Sequence, residues 1–139
     1  MSTIEINGII VSGMGEGKRF LPIPGYAKGI EALLGFLPFP GTLNIKHGEG
    51  RSILEGGRQL RLEGFLEKGK AFGSLKLFPC KISGVDCAIV VPERTRHDGS
   101  ILEIVAPVEL RAVLKVRDGD CVRIEIRQEK GGNRDGKRD

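Results

Sequence analysis

Short apolar runs rich in β-branched residues recur along this chain, and glycine or proline bounds nearly every one of them. The runs at 4–11, 42–46, 59–66, 71–82, 86–91, 101–105 and 121–126 read as strands. Most gaps between them are too short for the crossover that a parallel pair requires, so an antiparallel layout is expected. The 21 glycines are roughly twice what an average usage of about 7% gives, and they follow no fixed period. That distribution belongs to turns and tight loops. Helical spacing is confined to 26–34, where Ile30, Leu33 and Leu34 share a face before Gly35, and to 108–114. Pro107 suits the first position of that second helix. Residues 21–25 carry two prolines and read as neither helix nor central strand, and the polar stretch 47–57 reads as a loop. Six or seven strands with two short helices predict a mostly β fold, a small β-barrel rather than an α/β layered domain.

At 139 residues the chain has room for one core. A single domain over 1–128 is expected, followed by a disordered polar tail over 129–139, which has no apolar side chain. Aromatic residues are 5% and Trp is absent, so the core must be mainly aliphatic. The net charge of +4, of which the tail carries one unit, suits an anionic ligand and is mild for a nucleic-acid binder. Cys80, Cys87 and Cys121 form no close-spaced pair and read as reduced, core-filling thiols. With two histidines and no ligand spacing, a zinc site is not expected. No secretory signal or membrane-length apolar run is present, so a cytoplasmic protein is expected. The scarcity of Asn and Gln hints at a thermophilic source.

Three segments could carry chemistry. Gly13, Gly15 and Gly17 alternate ahead of Lys18 and Arg19, so backbone N–H groups could form an anion nest backed by positive charge. The Walker spacing is absent, and a plain turn stays open. Thr42 and Asn44 lie two residues apart on a strand and share a face, a hydroxyl beside an amide oxygen. They suit the edge of a Mg²⁺ site with phosphate oxygens completing it, or are two half-exposed polar residues. The third segment joins Arg94, Thr95, Arg96 and His97 to Glu103 and to a helix from Pro107, whose free N–H groups could meet a ligand acceptor. A solvated turn and a structural helix is the alternative.

Together the segments resemble the archaeal CTP-dependent riboflavin kinases. The resemblance covers residues 13–20, the Leu-Gly-Phe-x-Pro-x-Pro-Gly-Thr-Leu-Asn run over 34–44, residues 95–103, residues 106–111 and the later Asp118-Gly119-Asp120. The run over 34–44 is its specific element. The resemblance implies a cradle-loop (RIFT-type) β-barrel akin to swapped-hairpin transcription factors. It implies that Gly13, Met14, Gly15, Glu16, Gly17 and Lys18, with Val108, Glu109, Leu110 and Arg111, hold a cytidine nucleotide. It places Mg²⁺ on Thr42 and Asn44 and the flavin on Thr95 and Glu103. The expected reaction moves the γ-phosphoryl group of CTP to the 5′-hydroxyl of riboflavin, giving FMN and CDP. Glu103 is then the candidate base and Lys18 a candidate stabiliser of phosphate charge. The expected partners are the two small substrates, with no nucleic acid, no membrane and a monomeric state. A DNA-binding regulatory barrel, a flavin carrier without kinase activity and an ATP-using riboflavin kinase are the competing readings.

Overall fold

The computed structural model describes residues 2–13, 20–93 and 99–129. Among them nine strands form: β1 (Thr3–Val11), β2 (Leu43–Lys46), β3 (Leu60–Leu62), β4 (Phe65–Glu67), β5 (Lys70–Phe72), β6 (Leu75–Ile82), β7 (Val85–Pro92), β8 (Ile101–Val105) and β9 (Cys121–Arg127). Two α-helices, α1 (Pro24–Leu34) and α2 (Leu110–Leu114), and a 3₁₀ turn at Gly50–Leu54 accompany them. Every ladder is antiparallel. The order β6-β7-β8-β2-β1-β9 closes on itself, because β9 pairs back onto β6 at Cys80↔Ile126 and Lys81↔Glu125. A closed six-stranded barrel results. β3 extends the sheet beside the first half of β6, where β9 does not reach.

Alternation along each strand divides the apolar residues between two cores. Ile6, Ile10, Ile45, Phe78, Ile89, Leu102, Ile104, Ile124 and Ile126 fill the barrel. Leu75, Leu77, Ala88, Val90 and Val105 belong to a second cluster on the other face, completed by Tyr26 and Ile30 of α1 and by Leu62. The β4–β5 hairpin closes this second core with Phe65 and Phe72, whose rings meet Tyr26 edge-on at 4.9 and 5.8 Å. The Tyr26 hydroxyl donates to the Gly73 carbonyl at 2.8 Å, so its polar end is satisfied as the ring is buried. Burial pushes its phenol pKa up.

Several boundaries differ from the sequence expectation. The runs 59–66 and 71–82 each divide, at residues 63–64 and 73–74, because β4 and β5 leave the barrel to cover α1. Pro24 and Gly25 lie inside α1, with Pro24 in the first turn, where its missing N–H costs nothing. The helix ends as expected at Gly35, whose φ of +83° satisfies a left-handed cap and whose N–H donates to Glu31 O at 2.8 Å. The 47–57 loop contains the 3₁₀ turn. Cys80 and Cys87 are buried and face each other across β6 and β7, whereas Cys121, at the start of β9, is exposed and fills no core. No helix among the described residues is long and apolar enough to cross a membrane. Residues 130–139, which hold nearly all of the expected tail, lie outside the described residues.

The second core predicts a sharp contrast between two apolar truncations. Ile30→Ala removes a fully buried side chain and should cost about 2–5 kcal/mol in urea unfolding. Leu66→Ala, at a hairpin residue 77% exposed, should stay within about 0.5 kcal/mol. Equal costs would mean that α1 is not seated on the barrel as described.

Candidate active site

Strand register builds one row of neighbours across the outer face of the barrel. Leu77 opposes Val90, Val90 opposes Glu103, Glu103 opposes Asn44, and Asn44 opposes Val11. Directly opposed residues project to the same face. The row is therefore apolar at both ends and carries a carboxylate beside an amide in its middle. Glu103 is 5% exposed and Asn44 9% exposed, so neither is the half-exposed polar residue of an ordinary edge. A carboxylate withdrawn from water this far needs partners or a ligand, because isolation would be costly.

Thr42 joins the pair although it lies one residue before β2. Its Oγ1 donates to Glu103 Oε1 at 3.4 Å. The preceding Pro-rich stretch is tied to the end of β8, with Phe39 N donating to Ala106 O at 2.8 Å, which fixes the direction from which Thr42 arrives. Gly13 completes the cluster. A Cβ at that position would collide with the Asn44 side-chain amide, so only glycine lets the chain leaving β1 cross Asn44 this closely. The three oxygen-bearing side chains Thr42, Asn44 and Glu103 are hard donors that suit a divalent cation such as Mg²⁺. Two of them are neutral, and among the described residues no group of three His, Cys, Asp or Glu gathers at any point.

The segment that follows Gly13 in sequence is flanked by two fixed posts. After it, Phe20 packs edge-on against Tyr26 at 5.6 Å and Leu21 is buried in the second core. Before it, Ser12 Oγ donates to Asp118 Oδ2. Arg111 Nη2 donates to Asp118 Oδ1 at 2.5 Å and to the Val11 carbonyl at 3.2 Å. The Ser12 hydroxyl, followed by the Arg111 guanidinium, holds the Asp118 carboxyl below the usual range. Asp118 itself sits on a turn in which Asp120 N donates to Arg117 O at 3.0 Å and Gly119 N to Ile10 O at 2.9 Å.

The expected site residues thus divide. Gly13, Thr42, Asn44 and Glu103 converge, and Arg111 reaches the stem of the loop beside them. Met14, Gly15, Glu16, Gly17 and Lys18, together with Thr95 and His97, lie outside the described residues. The helix expected from Pro107 instead begins at Leu110. Glu109 is extended, at φ −76° and ψ 103°, and its carbonyl is the first helical acceptor, taking Ala112 N and Val113 N. Val108 lies in a bend and Glu109 is extended, so the free N–H groups of a longer helix are not available at Pro107. Ser12 and Asp118 were missed as partners. A separation of 106 residues leaves no spacing signal, and only the Asp-Gly-Asp turn marked the place.

Asp118 predicts a pH dependence with a definite sign. A lowered folded pKa means stabilisation that is complete above the ordinary carboxylate value of about 4 and is lost as pH falls through the lower folded value. The melting temperature of the wild type should exceed that of Asp118→Asn most near neutral pH. The gap should close as pH falls through the lowered folded value. A gap that stays constant across thermal melts from pH 7 to pH 2 would contradict the ionised clamp.

Residues 10–126 match the family model CTP-dep_RFKase, which carries the description Domain of unknown function DUF120. The chain is 43% identical over 130 residues to a riboflavin kinase of Pyrobaculum aerophilum, covering 91% of this chain and 62% of that one. It is 44% identical over 127 residues to a riboflavin kinase of Ignicoccus hospitalis, covering 88% and 71%. A riboflavin kinase of Thermococcus kodakarensis is 46% identical over 126 residues, covering 88% and 59%. The chain therefore spans less than two thirds of the length of the Pyrobaculum and Thermococcus relatives. With a match over most of its length and a barrel that gathers Gly13, Thr42, Asn44 and Glu103, the chain belongs to the CTP-dependent riboflavin kinase domain family.

Proposed function

We propose that this chain is a riboflavin kinase that transfers the γ-phosphoryl group of CTP to the 5′-hydroxyl of riboflavin, giving FMN and CDP. The observation that carries the proposal is the convergence of Thr42, Asn44 and Glu103 beside Gly13, at the mouth of the glycine loop. Family membership supplies the substrate class, and the similarity to archaeal riboflavin kinases supports it.

In this reading the ribityl oxygen attacks the γ-phosphorus in line. The new O–P bond forms as the bond to the bridging oxygen breaks, and CDP leaves. Glu103 receives the hydroxyl hydrogen, and its place in the sheet fixes that acceptor without a flexible side-chain search. Such transfers are governed by positioning and charge neutralisation more than by a strong base. Thr42 and Asn44 would hold Mg²⁺, which supplies charge compensation to phosphate oxygens when bound. The glycine-loop amides and Lys18 act on the same oxygens. Thr95 joins Glu103 on the flavin, and backbone groups over 108–111, which turn helical only from Leu110, read the cytosine edge.

Incubation with riboflavin, Mg²⁺ and each nucleoside triphosphate, following FMN by chromatography, tests the proposal. FMN is expected with CTP and hardly with ATP. FMN with ATP alone would overturn the donor, and none with any donor would overturn the activity. Asn44→Ala should lower turnover at least about tenfold while the protein stays folded. Near-normal Mg²⁺-dependent turnover in that variant would remove Asn44 from the metal site.

A further inference from the structure

We propose that Asp118 is a positioning residue that locks the stem of the glycine loop to the 108–111 segment, and that Arg111 is its brace rather than a phosphate ligand. The inference rests on the kinase reading above, which places those two segments on the nucleotide. Asp118 is bonded to both: Oδ2 takes Ser12, next to Gly13, and Oδ1 takes Arg111, the last residue of the second segment. Arg111 Nη2 is committed twice, to Asp118 Oδ1 and to the Val11 carbonyl. The guanidinium therefore points at the backbone that leads into the loop.

The platform that presents Asp118 is itself fixed. Ile10 N donates to Asp120 O and Gly119 N to Ile10 O, both at 2.9 Å, so the turn continues the β1–β9 ladder. Arg117 N donates to Asp120 Oδ2 at 2.9 Å, and Val116 N to Arg111 O at 3.1 Å, which ties the turn to α2. The Arg111 and Asp118 side chains are 36% and 51% exposed. Ion pairs at that exposure add little to global stability. Their consequence is geometric: charge-assisted bonds of fixed direction set where two separate nucleotide-binding segments stand. A shift of the loop stem by a fraction of its bond lengths would misplace the reacting phosphoryl group.

The two roles for Arg111 give opposite results. If it braces Asp118, then Asp118→Asn and Arg111→Ala remove the same lock. Each should raise the KM for CTP about tenfold, with the KM for riboflavin within about twofold, and the double variant should be no worse than the worse single. Ser12→Ala should follow them and Ser12→Thr, which keeps the hydroxyl, should restore wild-type behaviour. If Arg111 bound phosphate instead, Asp118→Asn would free it, leaving the KM for CTP unchanged or lower while Arg111→Ala raised it. That pattern, or unchanged constants in Ser12→Ala and Asp118→Asn, overturns the proposal. Melting curves identify any variant that fails to fold, and Ser12→Ala, a hydroxyl loss at an exposed residue, then carries the test. A wild type inert with every nucleotide would overturn the kinase reading before any variant is compared, and this inference with it.

Discussion

The return of β9 onto β6 is the pairing on which the rest of the structure depends. Without Cys80↔Ile126 and Lys81↔Glu125, six strands would form an open sheet with two exposed edges. Closure also sets β9 between β6 and β1, in register with β1 from Thr3↔Arg127 to Ile9↔Cys121. The turn ahead of β9 is thereby brought to the far end of β1, where the glycine loop departs. The apposition of Asp118 with Ser12, remote in sequence, is thus a consequence of how the barrel shuts.

A closed barrel has an inside that must be apolar and an outside that need not be. Here part of the outside is also buried, because α1 and the β4–β5 hairpin cover β6, β7 and the end of β8. Glu103 stands at the margin of that cover, between Val90 and Asn44. A carboxylate at 5% exposure works against stability unless it is paired. Apolar replacements of similar size would fit the row Leu77–Val90–Glu103–Asn44–Val11 at least as well for folding alone. The retention of two polar groups where the sheet would accept apolar ones is the structural mark of a site, and it is the same place to which the family resemblance points.

How much of this was legible in the sequence depends on the range of each interaction. Strand identity, the Gly35 stop and the antiparallel layout are written in local patterns, and they stand. The pairing of Thr42 with Asn44 was legible because two residues on a strand share a face whatever the tertiary structure. That Glu103 completes their cluster was not, since it needs the β2–β8 register across a gap of 59 residues from Asn44 to Glu103. The divided strands show a further limit. The breaks fall at Glu63-Gly64 and Gly73-Ser74, where a glycine permits an exit but does not require one, and the need to cover α1 is what takes the chain out of the barrel there. Pro107 misled in a similar way. It can open a helix, but the bond from Phe39 N to Ala106 O holds the preceding residue in the sheet's margin, and helical bonding starts only from the Glu109 carbonyl.

Charge sets a final constraint on the proposed site. Its described part holds one carboxylate, Glu103, and the neutral Thr42 and Asn44, while the Arg111 guanidinium is bonded to Asp118 and to the Val11 carbonyl. A nucleoside triphosphate therefore meets no ready cation among these groups. The proposed function assigns the neutralising charge to Lys18 and Arg19, which follow the last loop glycine in sequence, and to a divalent cation brought with the phosphates. A cation so held depends on phosphate oxygens to complete its shell, because a hydroxyl and an amide oxygen are a weak set alone. On this reading metal and nucleotide bind together, and the barrel contributes rigid placement of neutral donors where a charged cage would have trapped the ion.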